Sequence, residues 1–111
     1  MNTHEIELII YNLGASKVYK GTRDLVYAVQ LVLEDEERLY AVTKELYPAV
    51  AAHFNTEWKR AVRNMQTVVN VCWSRNRAGM CKLAGIQLLA PPSVGEFIAM
   101  LAAYIQRQGR G

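Results

Sequence analysis

One segment of 19 residues, 57–75, separates its apolar and polar side chains onto two sides of a helix. At about 100° per residue, one side collects Ala61, Val62, Met65, Val68, Val69, Cys72 and Trp73. The other side collects Lys59, Arg60, Arg63, Gln66, Thr67 and Asn70, and no acidic residue follows Glu57. Because the apolar side must be buried, this segment predicts a long helix packed into a larger helical domain.

The polar side of this segment carries residue types that read DNA bases. Arg and Lys bond guanine, Gln and Asn bond adenine, and Thr contacts phosphate or the thymine methyl group. Helix faces that are merely solvated usually mix acidic with basic residues. Residue types alone leave both a DNA-reading face and an ordinary solvated surface open. The candidate base-reading residues are Lys59, Arg60, Arg63, Gln66 and Thr67.

Charge is distributed unevenly along the 111 residues. Residues 1–57 carry five Lys and Arg against nine Asp and Glu, a net charge of −4, whereas residues 58–111 carry eight against one, a net charge of +7. A basic half beside an acidic half indicates a polyanionic partner met by one side of the molecule. Charge does not separate DNA from RNA or from an acidic protein.

Hydrophobic periodicity predicts helices in the rest of the chain as well. Glycines end two of them, a capping box at Ser93–Glu96 begins the last, and Thr22 and Thr56 are candidate N-caps. The acidic run 34–37 is interpreted as a solvated helix start. The predicted helices cover Thr3–Leu13, 22–33, one from the acidic run to Leu46, Pro48–Phe54, 57–75, Ala78–Ala84 and 94–106.

A short helix at Pro48–Phe54, a turn at Asn55 and Thr56, and the long helix after them follow the order of a helix-turn-helix. Any helical hairpin gives this order, so the pattern is weak by itself. The basic polar side of the long helix is the feature that favours DNA binding.

Other classes of protein find little support in this sequence. No run of about 18 apolar residues occurs, so no membrane span is expected, and the first ten residues lack the features of a secretory signal. Cys72 and Cys81 are expected to be free thiols in a reducing, cytoplasmic compartment. His4 and His53 lack metal-ligand spacing, and no nucleotide-binding or protease motif occurs, so we expect no metal, no cofactor and no catalytic residue.

Several sequence segments of the chain are similar to those of one protein family. They are LYPAVAAHFNT at 46–56, the pair Arg60 and Arg63, the pattern VxVCWSR at 69–75, and GEFIAM at 95–100. Together they resemble the C-terminal DNA-binding domain of the stage zero sporulation protein A family of response regulators. The resemblance runs from about Ile6 to Gln106.

This resemblance implies an all-α fold, a bundle of about six helices containing a helix-turn-helix at about 48–75, in one domain spanning residues 1–111. It implies that 57–75 is the recognition helix and that Arg60 and Arg63 read bases. Double-stranded DNA is the implied partner, with the RNA polymerase sigma subunit and a second copy on tandem sites as further ones. The residues expected to contact phosphate are Thr56, Arg75, Arg77 and Lys82.

The chain departs from the family pattern where polar groups would meet DNA. Val62 stands in place of an acid, Gln66 and Thr67 replace a more basic continuation, Ala52 and His53 replace a lysine pair, and Leu88–Pro92 has lost its lysines. Because each lost phosphate contact weakens DNA binding, a protein-interaction module on a helix-turn-helix scaffold stays open as the alternative. The phosphoacceptor receiver domain of the family is not in this chain, which leaves open both a stand-alone effector and a piece of a longer regulator.

Overall fold

Six α-helices make up most of the computed structural model, which describes residues 3–109. The helices are α1 (Thr3–Asn12), α2 (Lys20–Glu34), α3 (Tyr47–His53), α4 (Trp58–Arg75), α5 (Arg77–Ala84) and α6 (Val94–Gly109). A 3₁₀ helix, Glu36–Ala41, and a π-helical segment, Val42–Leu46, lie between α2 and α3. No strand occurs in residues 3–109, so the prediction of an all-α bundle of six helices is confirmed.

Helix α2 lies at the centre of the bundle and packs against α1, α3, α4 and α6. Most of its apolar side chains are buried, as are the largest core side chains of the neighbouring helices. Burying one such side chain stabilises the fold by roughly 1.5–3 kcal/mol relative to leaving it exposed. The fully buried side chains include Leu25, Val29 and Val32 of α2, Ile6 and Ile10 of α1, Met65 of α4, and Phe97, Ile98 and Leu101 of α6.

Two of the predicted helix caps are wrong. Helix α2 begins at Lys20, and Thr22 lies inside its first turn, where its hydroxyl donates a hydrogen bond of 2.9 Å to the carbonyl of Ser16. Helix α4 begins at Trp58 with Glu57 in the N-cap position and no side-chain cap. Thr56 instead belongs to the turn, because its backbone N–H donates to the carbonyl of Ala51.

The single helix predicted from the acidic run to Leu46 is also wrong. Asp35 is extended and caps the 3₁₀ helix by accepting from the N–H of Glu37, and the π-helical segment follows directly. Pro48 lies in the first turn of α3, as predicted. Proline lacks an N–H, and in a regular α-helix its ring clashes with the carbonyl four residues earlier. The wider π turn at Val42–Leu46, directly before α3, accommodates the proline ring.

Local signals at the ends of α5 and α6 are confirmed. The N–H of Ser93 donates to Glu96 Oε1 at 3.0 Å and the N–H of Glu96 donates to Ser93 Oγ at 3.1 Å, which is the reciprocal pair of a capping box. Gly85 follows α5 with φ +76°, the left-handed conformation that suits a helix stop. Within residues 3–109 no helix combines the length and the apolarity that a membrane crossing requires.

Candidate nucleic-acid interface

Helix α4 presents the predicted apolar and polar sides. Ala61, Met65, Val68 and Cys72 are fully buried. The opposite side forms an exposed surface, called the α4 face below. It consists of Lys59, Arg60, Arg63, Thr67, Asn70 and Ser74.

A tight turn presents the N-terminal end of the α4 face to solvent. The residue Asn55 adopts φ +54°, a left-handed conformation that asparagine tolerates better than most residues. Behind the turn the rings of Tyr47 and Trp58 stack at 6.5 Å, which joins α3 to the first turn of α4. Trp58 is therefore a packing residue.

Two arginines stand on the α4 face without an internal partner. Neither the guanidinium of Arg60 nor that of Arg63 has a hydrogen bond, ion pair or ring contact within the described range 3–109. Both are exposed, and they are three residues apart, so their side chains leave the helix on the same side. Lys59 is next to them, with its ammonium 5.7 Å from the centre of the Trp58 ring.

Gln66 and Thr67, the other two candidate base-reading residues, already make hydrogen bonds within the domain. The Gln66 amide Nε2 lies 3.2 Å from Asn70 Oδ1 and 3.5 Å from the carbonyl of Pro92, and Gln66 is half-buried. The Thr67 hydroxyl donates to the carbonyl of Arg63 at 3.1 Å. Gln66 thus lies at the edge of the α4 face, and it would exchange these bonds in order to reach a base.

The four candidate phosphate contacts lie in different places. Thr56 is half-buried in the turn before α4, and Lys82 is exposed on α5. Arg75 donates from Nη1 to the carbonyl of Gly14 at 2.7 Å. The guanidinium of Arg77 lies over the ring of Trp73, 4.3 Å from its centre. Both arginines therefore contact other parts of the domain, although both residues are exposed.

Lys59, Arg60, Arg63 and Thr67 lie on one side of the first ten residues of α4. At 1.5 Å per residue, Arg75 lies about 22 Å beyond Arg60 and about 12 Å beyond Thr67 along the helix axis. The exposed residue Ser74 was not among the predicted contacts. Its spacing of four residues from Asn70 is the signal that places it on the same face.

Both cysteines are free. Cys72 is fully buried, and this burial raises its pKa from an ordinary value of 9.0 to about 11, against smaller opposing effects of the Ala15 backbone and of Arg75. Cys81 is half-buried, and its Sγ accepts from the N–H of Leu88 at 3.3 Å. A thiol that stays protonated at neutral pH is a packing group rather than a nucleophile.

Comparison with protein-family models matches residues 6–105 to the family described as sporulation initiation factor Spo0A C terminal. The match covers most of the chain and contains all of α2 to α5, the turn before α4 and the α4 face. The chain therefore belongs to the Spo0A C-terminal family, a family of DNA-binding effector domains of sporulation regulators and not an enzyme family.

Proposed function

We propose that this chain is a sequence-specific DNA-binding regulator of transcription, in which α3, the turn and α4 act as a helix-turn-helix and α4 enters the major groove. The observation that carries the proposal is the pair Arg60 and Arg63, exposed on α4 with no internal partner in residues 3–109. Structural arginines are usually paired, as Arg75 is with Gly14. Unpaired neighbours on one helix face are available for a ligand.

The chemistry of these two arginines fits guanine. A guanidinium donates two parallel hydrogen bonds to guanine O6 and N7, and each such pair contributes ~1–3 kcal/mol of discrimination against the wrong base. A helix with its side chains is about 10–12 Å across, and the major groove is about 12 Å wide. Only α4 among the described helices presents two unpaired arginines on one exposed face.

The other predicted contacts have supporting roles in this proposal. Lys59 lies beside Arg60 at the groove, while Lys82 and Thr56 contact phosphate. Arg75 and Arg77 are exposed enough to approach phosphate, since a guanidinium has five N–H donors and the Gly14 bond uses Nη1 alone. Such contacts position the domain on DNA without reading its sequence.

The partners that accompany this function are double-stranded DNA and, as the family resemblance implies, a second copy on an adjacent site and the RNA polymerase sigma subunit. Half-sites about one helical turn apart would place two copies on the same side of the duplex. The operator then consists of two short motifs rather than one.

Selection of bound duplexes from a random library, at two salt concentrations, tests the proposal. We expect enrichment of a short motif containing guanine, with weaker binding at the higher salt concentration because phosphate contacts release counterions. Binding without enrichment would reduce the chain to a sequence-independent binder, and absence of binding at low salt would refute DNA recognition altogether.

A protein-interaction module is the second candidate, favoured by one observation. Leu89 and Ile86 are 92% and 65% exposed in the loop between α5 and α6, and residues 85–93 contain no Lys or Arg. Exposed apolar side chains in one loop are typical of protein contacts. The same selection experiment separates the two functions, because a module of this kind enriches no DNA motif.

A further inference from the structure

The α4 face is bordered along both edges by other parts of the chain. Along one edge, Gln66 contacts the carbonyl of Pro92 in the loop before α6. Along the other edge, Asn64 contacts the start of α2, because the backbone of Gly21 lies directly against its carbonyl. Asn64 and Gln66 are both half-buried, as positions at the two edges of a helix face are.

The α1–α2 connector, residues 13–19, is held beside α4 by hydrogen bonds. Asn76 donates from Nδ2 to the carbonyl of Asn12, and Arg75 donates to the carbonyl of Gly14. The hydroxyl of Thr22 closes the connector onto the carbonyl of Ser16. The chain therefore runs beside α4 from its C-terminal end to its middle, and its position relative to the α4 face is fixed.

Lys20 is an unpaired cation at this border, whereas Arg23 in the same turn pairs with Asp24. Lys20 directly precedes Gly21, is exposed, and has no hydrogen bond or ion pair with any side chain of the described range. The opposite border, the loop 85–93, has no Lys or Arg. The two borders of the α4 face thus differ in charge.

We infer that Lys20 binds the phosphate backbone of DNA along one side of the groove that receives α4, an additional contact outside the helix-turn-helix. The inference rests on the proposed function. A helix about 10–12 Å across fills a groove about 12 Å wide, so the parts of the protein beside the helix meet the phosphates at the rims of the groove. Lys20, at the cationic border, attracts the phosphates of one rim. The opposite border, the loop 85–93, has no Lys or Arg to attract the phosphates of the other rim.

Lys17, the lysine of this connector, occupies a different place. It lines a cleft between α1 and α2 together with Tyr11 and Thr22, and no residue of α4 is among those that line this cleft. We therefore assign the contact to Lys20 alone.

The test compares the salt dependence of DNA binding for the full chain and for Lys20→Gln on one duplex. Each phosphate neutralised by a cation contributes about 0.9 to the slope of log affinity against log salt. We expect Lys20→Gln to lower the slope by about that amount and to leave the sequence preference unchanged. Lys20→Arg, which keeps the charge, should restore the slope.

Arg107→Gln is the matched control. It removes the same charge near the C-terminal end of α6, where Arg107 lies beside the carbonyl of Leu83 and far from the end of α6 that approaches Gln66. A wild-type slope for Lys20→Gln, or a slope equal to that of Arg107→Gln, would overturn the inference while leaving the proposed function standing. Absence of salt-dependent binding by the wild-type chain would overturn both.

Discussion

Gly21 of α2 lies against the backbone of Asn64 of α4, so closely that a Cβ atom on Gly21 would be 2.1 Å from the Asn64 carbonyl oxygen. The neighbouring carbonyl carbon and the N–H nitrogen of Met65 would be 2.4 and 2.8 Å away. All three are backbone atoms, which cannot rotate aside as a flexible side chain can. This close contact fixes how deeply α4 lies in the bundle, and therefore how far the α4 face stands out from the bundle.

We predict that Gly21→Ala destabilises the domain. A methyl group at this crossing forces two helices apart, and such overpacking typically costs about 1–3 kcal/mol. The free energy of unfolding, measured with urea, should fall by at least this amount.

Gly95→Ala is the control for this substitution. A Cβ at Gly95 would meet the Tyr47 hydroxyl oxygen at 3.5 Å, an ordinary contact, and alanine favours a helix over glycine by about 1 kcal/mol. We expect unchanged or raised stability for this variant. Equal losses for both glycines would show that the crossing at Gly21 is not the cause.

Asn76 joins three helices, and its two roles can be separated. Its Oδ1 accepts from the N–H of Gly79 at 2.9 Å as the N-cap of α5, and its Nδ2 donates to the carbonyl of Asn12 at the end of α1. Asn76→Ala removes both bonds and should cost about 1–3 kcal/mol of unfolding free energy.

Asn76→Asp keeps the capping acceptor and removes only the donor to Asn12. We expect it to recover the cap contribution, typically ~1 kcal/mol, relative to Asn76→Ala. Urea denaturation of the two variants measures the difference. If Asp and Ala destabilised the domain equally, the cap of α5 would contribute nothing.

Whether a feature of this fold can be predicted from the sequence depends on how far apart in the chain its interacting residues are. The two sides of α4 and the capping box at Ser93 and Glu96 are patterns within a few residues, and both are present as predicted. The predicted caps Thr22 and Thr56 are wrong because threonine also occurs outside the cap position. The Thr22 hydroxyl donates from the first turn of α2 to the carbonyl of Ser16, and Thr56 lies in the turn one residue before the N-cap Glu57.

The borders of the candidate site could not be predicted in this way. The contacts of Gly21 with Asn64, of Arg75 with Gly14 and of Gln66 with Pro92 join residues that are far apart in the sequence. No local period encodes such contacts. Residue type alone therefore predicts Arg75 to be a phosphate contact, while its bond to Gly14 depends on the position of the segment after α1 beside the C-terminal end of α4.

The buried thiol of Cys72 should make stability depend on pH in the alkaline range. Its pKa is raised by burial from 9.0 to about 11, so the unfolded chain releases this proton at lower pH than the folded one. The stabilisation is fully present below about pH 9 and is lost as the pH rises towards 11, with about 1.4 kcal/mol lost by about pH 10.

Cys72→Ala tests this linkage. The variant should show a smaller fall in unfolding free energy than the wild type between about pH 8 and about pH 10, whatever its stability at neutral pH. Cys81→Ala removes a half-buried thiol whose Sγ accepts from Leu88 and should retain the full decrease. The same decrease in all three proteins would assign the pH dependence to other groups.

Arg63 and Lys82 should affect DNA binding in different ways. Arg63 is unpaired on the α4 face, so Arg63→Ala should relax the preference at one base pair and cost ~1–3 kcal/mol on the selected motif. Lys82 is exposed on α5 and is not part of that face, so Lys82→Ala should weaken binding to the motif and to an unrelated duplex alike. It should also lower the salt slope by about 0.9.

The measurement is the affinity of each variant for the selected motif, for single-base variants of that motif and for an unrelated duplex. Both substitutions lie on exposed helix positions where alanine favours the helix, so unchanged helicity and thermal unfolding serve as the check on folding. If Arg63→Ala reduced affinity for every duplex by the same factor, Arg63 would be a phosphate contact, because loss of a base contact must be felt most on the base pair that it reads. If Lys82→Ala changed the preferred base, Lys82 would be a base contact rather than a phosphate contact.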